Sequence, residues 1–163
     1  MHVRRVRSEE HGALADLTVG AYRALLGTDM DDGYAAELAD VAGRTESADV
    51  LVAVDDEGRL LGGVAYFTSA SAFGSLHGPD EAGIRMLAVD PAAQGRGVGA
   101  RLVAACVGRA LAGGKARISL HTTAPMTVAQ RLYDRAGFRR APERDHLLDE
   151  GLLLLAYVRD LER

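Results

Sequence analysis

The sequence predicts a single α/β domain (α+β in its mixed pairing), built on a mixed, twisted sheet with helices on its faces. Three observations predict it. Apolar, β-branched segments alternate along the chain with segments of helical period. The strand–helix–strand run over residues 84–122 requires one parallel crossover. The closely connected pairs over 50–68 and 138–158 require antiparallel pairing.

Residues 3–6 form a short strand. Ser8 is then expected to cap a helix, with Glu9 and Glu10 suiting its positive end. Leu14, Leu17, Thr18 and Ala21 make the apolar face of that helix. Asp31 and Asp32 start a second helix carrying Tyr34, Leu38 and Val41. Residues 50–54 are β-branched and strand-like, Asp55 to Gly58 turn, and 60–68 return. Residues 69–82 are small and polar with Gly and Pro, as loops are, and 84–89 are the next strand. Helix 98–112 carries Leu102, Val103, Cys106, Ala110 and Leu111 inward and ends at Gly113 and Gly114. Strand 117–122 is followed by helix 127–136, with Val128, Ala129, Leu132 and Tyr133 inward and Gly137 as its stop. Residues 138–140 and 152–158 are the last two strands.

Composition narrows the function. The 163 residues suit one domain able to bury a core without staples. A net charge of −4 supplies no broad basic field, so no nucleic-acid partner is expected. That mild acidity suits a cationic acceptor such as an amine. Cys106 stands alone and the histidines are scattered, so neither a disulfide nor a metal site is expected. No apolar stretch follows the charged start, and the longest apolar run, 152–158, is too short to cross a bilayer. A cytoplasmic protein away from membranes is the expectation.

The strongest local signal is Gln94-Gly95-Arg96-Gly97-Val98-Gly99, between a strand and a helix. Glycines let backbone turn tightly and approach a ligand, and the first N–H groups of a helix have no intrahelical partner. Together they suit a diphosphate, with Arg96 adding charge. A ligand-free turn would carry the cost of three glycines without a use. A dinucleotide fingerprint matches at Gly95, Gly97 and Ala100, but residues 90–94 separate that loop from its strand. The strand 117–122 also lacks the acidic residue such a fingerprint needs, and Gly114-Lys115-Ala116 is no Walker loop.

Ile84-Arg85-Met86-Leu87-Ala88-Val89-Asp90-Pro91, followed by that glycine loop, resembles motif A of the GNAT superfamily (Gln/Arg-x-x-Gly-x-Gly/Ala). Ala129-Gln130-Arg131-Leu132-Tyr133-Asp134-Arg135-Ala136-Gly137-Phe138 resembles its motif B (Ala-x-x-Leu-Tyr-x-x-x-Gly-Phe). The resemblance covers residues 50–138 by motif and the whole chain by element order. Met126 with Ala129, and Pro142-Glu143-Arg144-Asp145, are similar to a bacterial branch whose acceptors are largely unassigned.

The resemblance implies a GNAT fold: a sheet of about six to seven strands, about four helices, and two splayed parallel strands that bind CoA. It implies an N-acetyltransferase that moves an acetyl (acyl) group from acetyl-CoA to a primary amine by direct attack, through a tetrahedral intermediate. A non-catalytic acyl-CoA sensor or scaffold is the alternative. The slot between 84–89 and 117–122 would take the pantetheine arm along Leu87, Ala88 and Val89. Gln94, Gly95, Arg96, Gly97, Val98, Gly99 and Ala100 would hold the pyrophosphate. The Val89 N–H would face the thioester carbonyl oxygen. Tyr133 matches the superfamily's tyrosine acid, and its bland reading is a core aromatic.

The base is open. Several GNAT enzymes carry a glutamate where this chain has Gly83. Glu81 and His121 are the candidates, with His77 third; the bland readings are a solvated loop charge and a polar residue on a strand face. Cys106 reads as a buried, inert thiol. Arg139, Arg140 and Arg144 near Asp145 read as a solvated ion-pair cluster, or as contacts to the nucleotide's 3′-phosphate or to a partner subunit. The acceptor is a small-molecule or protein amine, bound by loops 21–33, 69–82 and 140–151. The resemblance also implies a homodimer through the late strands.

Overall fold

The computed structural model describes residues 1–27, 30–68, 76–148 and 151–161; part of the expected 69–82 loop therefore lies outside the described residues. Eight strands and five α-helices form among them. The strands are β1 (His2–Arg5), β2 (Asp49–Val54), β3 (Leu60–Thr68), β4 (Glu81–Val89), β5 (Arg117–Thr122), β6 (Arg139–Arg140), β7 (His146–Leu147) and β8 (Leu153–Asp160). The helices are α1 (His11–Leu26), α2 (Asp32–Ala39), α3 (Val41–Ser47), α4 (Val98–Ala112) and α5 (Thr127–Arg135). Strand order is β1-β2-β3-β4-β5-β8-β6, with β7 on β8. Among the described residues only β4 and β5 run parallel, joined by the α4 crossover, so the mixed sheet is the expected one. No helix among the described residues is long and apolar enough to cross a membrane.

Each sheet face has its own core. Leu102, Val103, Cys106 and Ala110 of α4 pack on Ile84, Ile118 and Leu120. Leu14 of α1 and Val41 of α3 cover Val50, Val52 and Val54 on the other face. Full burial of each such aliphatic side chain contributes about 1.5–3 kcal/mol.

Four local readings are corrected by the structure. Ser8 is not the cap. The Glu10 carboxylate accepts the Arg7 N–H at 2.8 Å and both Arg4 guanidinium nitrogens at 2.8 Å. A charged acceptor outcompetes a hydroxyl there. The second helix stops at Asp40, whose φ of −81° and ψ of 65° leave the helical region. Its carboxylate accepts the Gly43 N–H at 3.0 Å and starts α3, so Val41 belongs to a separate helix. The buried Arg44 of α3 then donates to the Glu37 and Leu38 carbonyls at 2.8 Å each, satisfying the end of α2. Leu111 and Val128 are 44% and 72% exposed, one position outside the buried stripes of their helices. Finally, β4 begins at Glu81 rather than Ile84, because pairing with β5 extends it backward.

Candidate active site

The opening in the sheet begins with register. β4 and β5 pair at Glu81↔Arg117, Ala82↔Ile118 and Gly83↔Ser119, and the pairing stops there. On its other edge β4 stays with β3 as far as Val89, with one irregularity. Met86 and Leu87 together stand opposite Val64, between the pairs Ala65↔Arg85 and Gly63↔Ala88. Met86 carries a φ of 55°, so the irregularity is a bulge, lying just beyond the point where β4 stops pairing with β5. A non-glycine residue in this region costs on the order of 1–3 kcal/mol, which the pairing on both sides must offset. The Asp90 N–H donates to the Leu61 carbonyl at 2.9 Å. Backbone alternation therefore aims the Val89 amide the other way, toward the opening. Ile84 to Leu87, His121 and Thr122 line the opening from the strands, and Met126, Ala129 and Tyr133 line it from α5 and its approach.

The glycine loop lies at the end of the same strand. The Asp90 carboxylate accepts the Ala92 N–H at 3.0 Å and sets a short turn over Pro91–Ala93. Gly95 and Gly97 both have φ of 79°, and Gly97 is the left-handed residue that starts α4. A Cβ at either would meet nothing within 4 Å, so glycine is required by the backbone and the space outside is open. The Arg101 N–H bonds the Gly97 carbonyl at 3.1 Å, so the amides of Val98, Gly99 and Ala100 precede the helical ladder. Gln94, Gly95, Arg96, Gly97 and Ala100 are exposed, whereas the Val98 side chain is core. A Cβ on Gly99 would lie 3.0 Å from Leu132 Cδ2, so this glycine lets α4 approach α5 closely.

Tyr133 is buried, with its ring 5.9 Å from that of Phe138 and 6.0 Å from that of Tyr157. Burial, aided by the neighbouring Cys106, raises its hydroxyl well above the ordinary tyrosine value. It therefore keeps its proton at neutral pH and can serve as a donor. Cys106 is fully buried and its thiol is pushed up to about 12 by that burial, so it is inert.

The remaining candidates form one cluster. Glu81 is 2% exposed on β4 and is no solvated loop charge. Its Oε2 accepts from Arg144, from the His77 backbone N–H at 3.0 Å and from Ser119 Oγ at 3.3 Å. Burial alone would raise its carboxyl; the Arg144 hydrogen bond and the His77 N–H outweigh it and hold the group below its ordinary value. Arg144 is likewise no part of a solvated cluster. Asp145 is taken by Arg140, at 2.6 and 2.7 Å, and by the Ala156 N–H at 2.8 Å, which leaves Arg144 to reach Glu81. His121 is half-buried, and its Nε2 lies 3.0 Å from the Arg144 carbonyl oxygen. The His77 side chain is exposed. The sequence singled out Arg144 only as part of a cluster with Asp145; its pairing with Glu81 was not legible there, since no local spacing links positions 81 and 144.

A family model described as the acetyltransferase (GNAT) family matches residues 13–138. A search of curated protein sequences finds no match. Among solved structures, the chain is similar to an acetyltransferase of the GNAT family from Staphylococcus aureus Mu50, at 15% identity over 99% of both chains and a TM-score of 0.76. It is similar to a GCN5-related N-acetyltransferase from Kribbella flavida, at 26% identity over 98% of this chain and 97% of that one, TM-score 0.71. A third similar structure is the PaiA N-acetyltransferase from Thermoplasma acidophilum in complex with coenzyme A, at 12% identity over 98% of both chains, TM-score 0.72.

Proposed function

The chain belongs to the GNAT acetyltransferase family, and from that premise we propose that it moves an acetyl group from acetyl-CoA to a primary amine. One observation carries the reading: β4 parts from β5 after Gly83 and ends at Val89, and the short Pro91–Ala93 turn then leads to the left-handed glycine loop that starts α4. A strand-like arm and a diphosphate joined end to end fit such a path.

The residues present suit that co-substrate. Open space beside Gly95 and Gly97 lets phosphate oxygens approach the amides of Val98, Gly99 and Ala100, which precede the helical ladder. Leu87, Ala88 and Val89 offer the pantetheine arm a strand edge, with the Val89 amide aimed into the gap. Bound there, the thioester supplies an activated carbonyl for direct amine attack, through a tetrahedral intermediate.

The chain's own groups do the rest. The Val89 N–H is the donor for charge developing on the carbonyl oxygen. Tyr133 is the acid for the departing thiolate, since this residue lines the gap and burial keeps its hydroxyl protonated. An alkylamine, with an ordinary pKa of about 10.4, arrives protonated, so a base is needed. His121 is that base, because it lines the gap while the Glu81 carboxylate is committed to Arg144. The acceptor is a small-molecule or protein amine, entering from the α1 side past Tyr22 and Leu25.

A thermal-shift titration with acetyl-CoA followed by thiol release over an amine panel tests the proposal. Stabilisation with amine-dependent release supports it. Stabilisation without release from any amine would favour an acyl-CoA sensor, and no stabilisation would remove the reading altogether.

A further inference from the structure

We infer that Arg144 is a positioning residue for His121: its backbone carbonyl fixes the protonated ring nitrogen, and its guanidinium, anchored on buried Glu81, holds that carbonyl in place. The inference rests on the reading of His121 as the base.

The first half follows from donor chemistry. His121 Nε2 lies 3.0 Å from the Arg144 carbonyl oxygen. A carbonyl oxygen can only accept, so Nε2 carries the hydrogen. A neutral imidazole has one N–H, which leaves the lone pair on Nδ1. That lone pair is what a base needs to take a proton from an ammonium. The opposite tautomer would set two acceptors against each other.

The second half concerns how a short turn keeps its carbonyl still. Pro142–Arg144 is a single turn near the surface, bonded to itself by the Arg144 N–H to the Ala141 carbonyl at 2.9 Å and the Asp145 N–H to the Pro142 carbonyl at 3.1 Å. One end is clamped where Asp145 meets Arg140 and the Ala156 N–H. The other anchor is the Arg144–Glu81 pair, buried at 12% and 3% side-chain exposure. Glu81 is itself immobilised by Ser119 and the His77 N–H, and it stands opposite Arg117 at the closed root of the gap. Ser119 and His121 share one face of β5, so anchor and ring lie on the same side of the sheet. Glu81 Oε1 has no partner among the described residues, so the hold on Arg144 runs through Oε2. Buried ion pairs are poor sources of net stability, and their best use is to specify geometry. Here the geometry specified is that of a carbonyl beside a reactive ring.

The test is the imidazole nitrogen spectrum of the full chain. Proton–nitrogen correlation at about pH 8, where histidine is mostly neutral, should show His121 with hydrogen on Nε2. In Arg144→Ala the signature should move toward mixed tautomers. Amine-dependent kcat should fall about a hundredfold, as for a misplaced reacting group, with acetyl-CoA KM unchanged. Arg144→Lys, which keeps a charge for Glu81, should recover part of both. Hydrogen on Nδ1 in the unsubstituted protein overturns the inference without any variant. So does a wild-type signature in Arg144→Ala. Calorimetry with acetyl-CoA on the same samples separates the two readings. Absent binding by the unsubstituted protein sinks acyl transfer, whereas the tautomer result judges Arg144 alone.

Discussion

The ring of Phe67 occupies the space that a side chain on Gly83 would need. A Cβ at that position would lie 2.8 Å from Cε1 and 2.9 Å from Cε2 of the ring, and the two residues face each other directly across β3 and β4. Real Cβ atoms do not approach that closely, and the ring is itself buried. Gly83→Ala should therefore cost about 1–3 kcal/mol by overpacking. Pairing it with Phe67→Leu should return part of that loss. Denaturant midpoints of the two single variants and the double variant measure the coupling, and strictly additive effects would break the proposed link. The same ring explains why a glutamate base cannot stand at position 83 in this chain.

Gly97→Glu should fold and lose acetyl-CoA. A side chain at this site meets no neighbour, so the cost to stability is left-handed strain, on the order of 1 kcal/mol. Its carboxylate would sit beside the amides proposed to hold the diphosphate. Calorimetry should show binding gone with the circular dichroism spectrum retained. Unchanged affinity would mean that the loop has another purpose.

Tyr133→Phe should lower kcat by about 10²–10⁴-fold, the range for losing a general acid. The ring packing against Phe138 and Tyr157 survives the change, so the melting temperature and acetyl-CoA affinity should stay close to those of the unsubstituted protein. Full turnover would take the acid role away from Tyr133.

Acid should weaken the fold through two carboxylates. Glu10 is held down at about 2, chiefly by the Arg4 hydrogen bonds, and Glu81 is held below its ordinary value by Arg144 and the His77 N–H against the effect of burial. Both values are depressed in the folded state. Their stabilisation is therefore fully present above the ordinary value of 4.5 and is lost as pH falls toward the folded value. Urea midpoints taken from about pH 7 to about pH 3 should fall, and Glu10→Gln should flatten part of that slope. A slope identical in Glu10→Gln would show that the Arg4 pair contributes nothing to it.

Elements whose stability is decided within a few neighbouring residues were legible in advance. Helix α4 was bounded correctly because its apolar spacing, its leading glycines and its closing Gly113 all lie within one short stretch. β3 and β5 were read with the same clarity. Ser8 failed as a cap because its competitor, Glu10, is reinforced by Arg4 from a strand. Val128 failed as a core residue because the helix period fixes a stripe's spacing and leaves its rotation to the packing.

By itself the sequence determined the mixed sheet, the crossover and the glycine loop, since hydrophobic period, backbone freedom and motif spacing are properties of consecutive residues. The tertiary structure alone decided where β4 leaves β5, that Phe67 fills the place beside Gly83, and that Arg144 reaches Glu81 while its carbonyl meets His121. The physical reason is one of distance along the chain. A bulge forms against a partner strand, a steric exclusion between two strands, and a buried ion pair between residues 63 positions apart. None of these leaves a local periodicity to read.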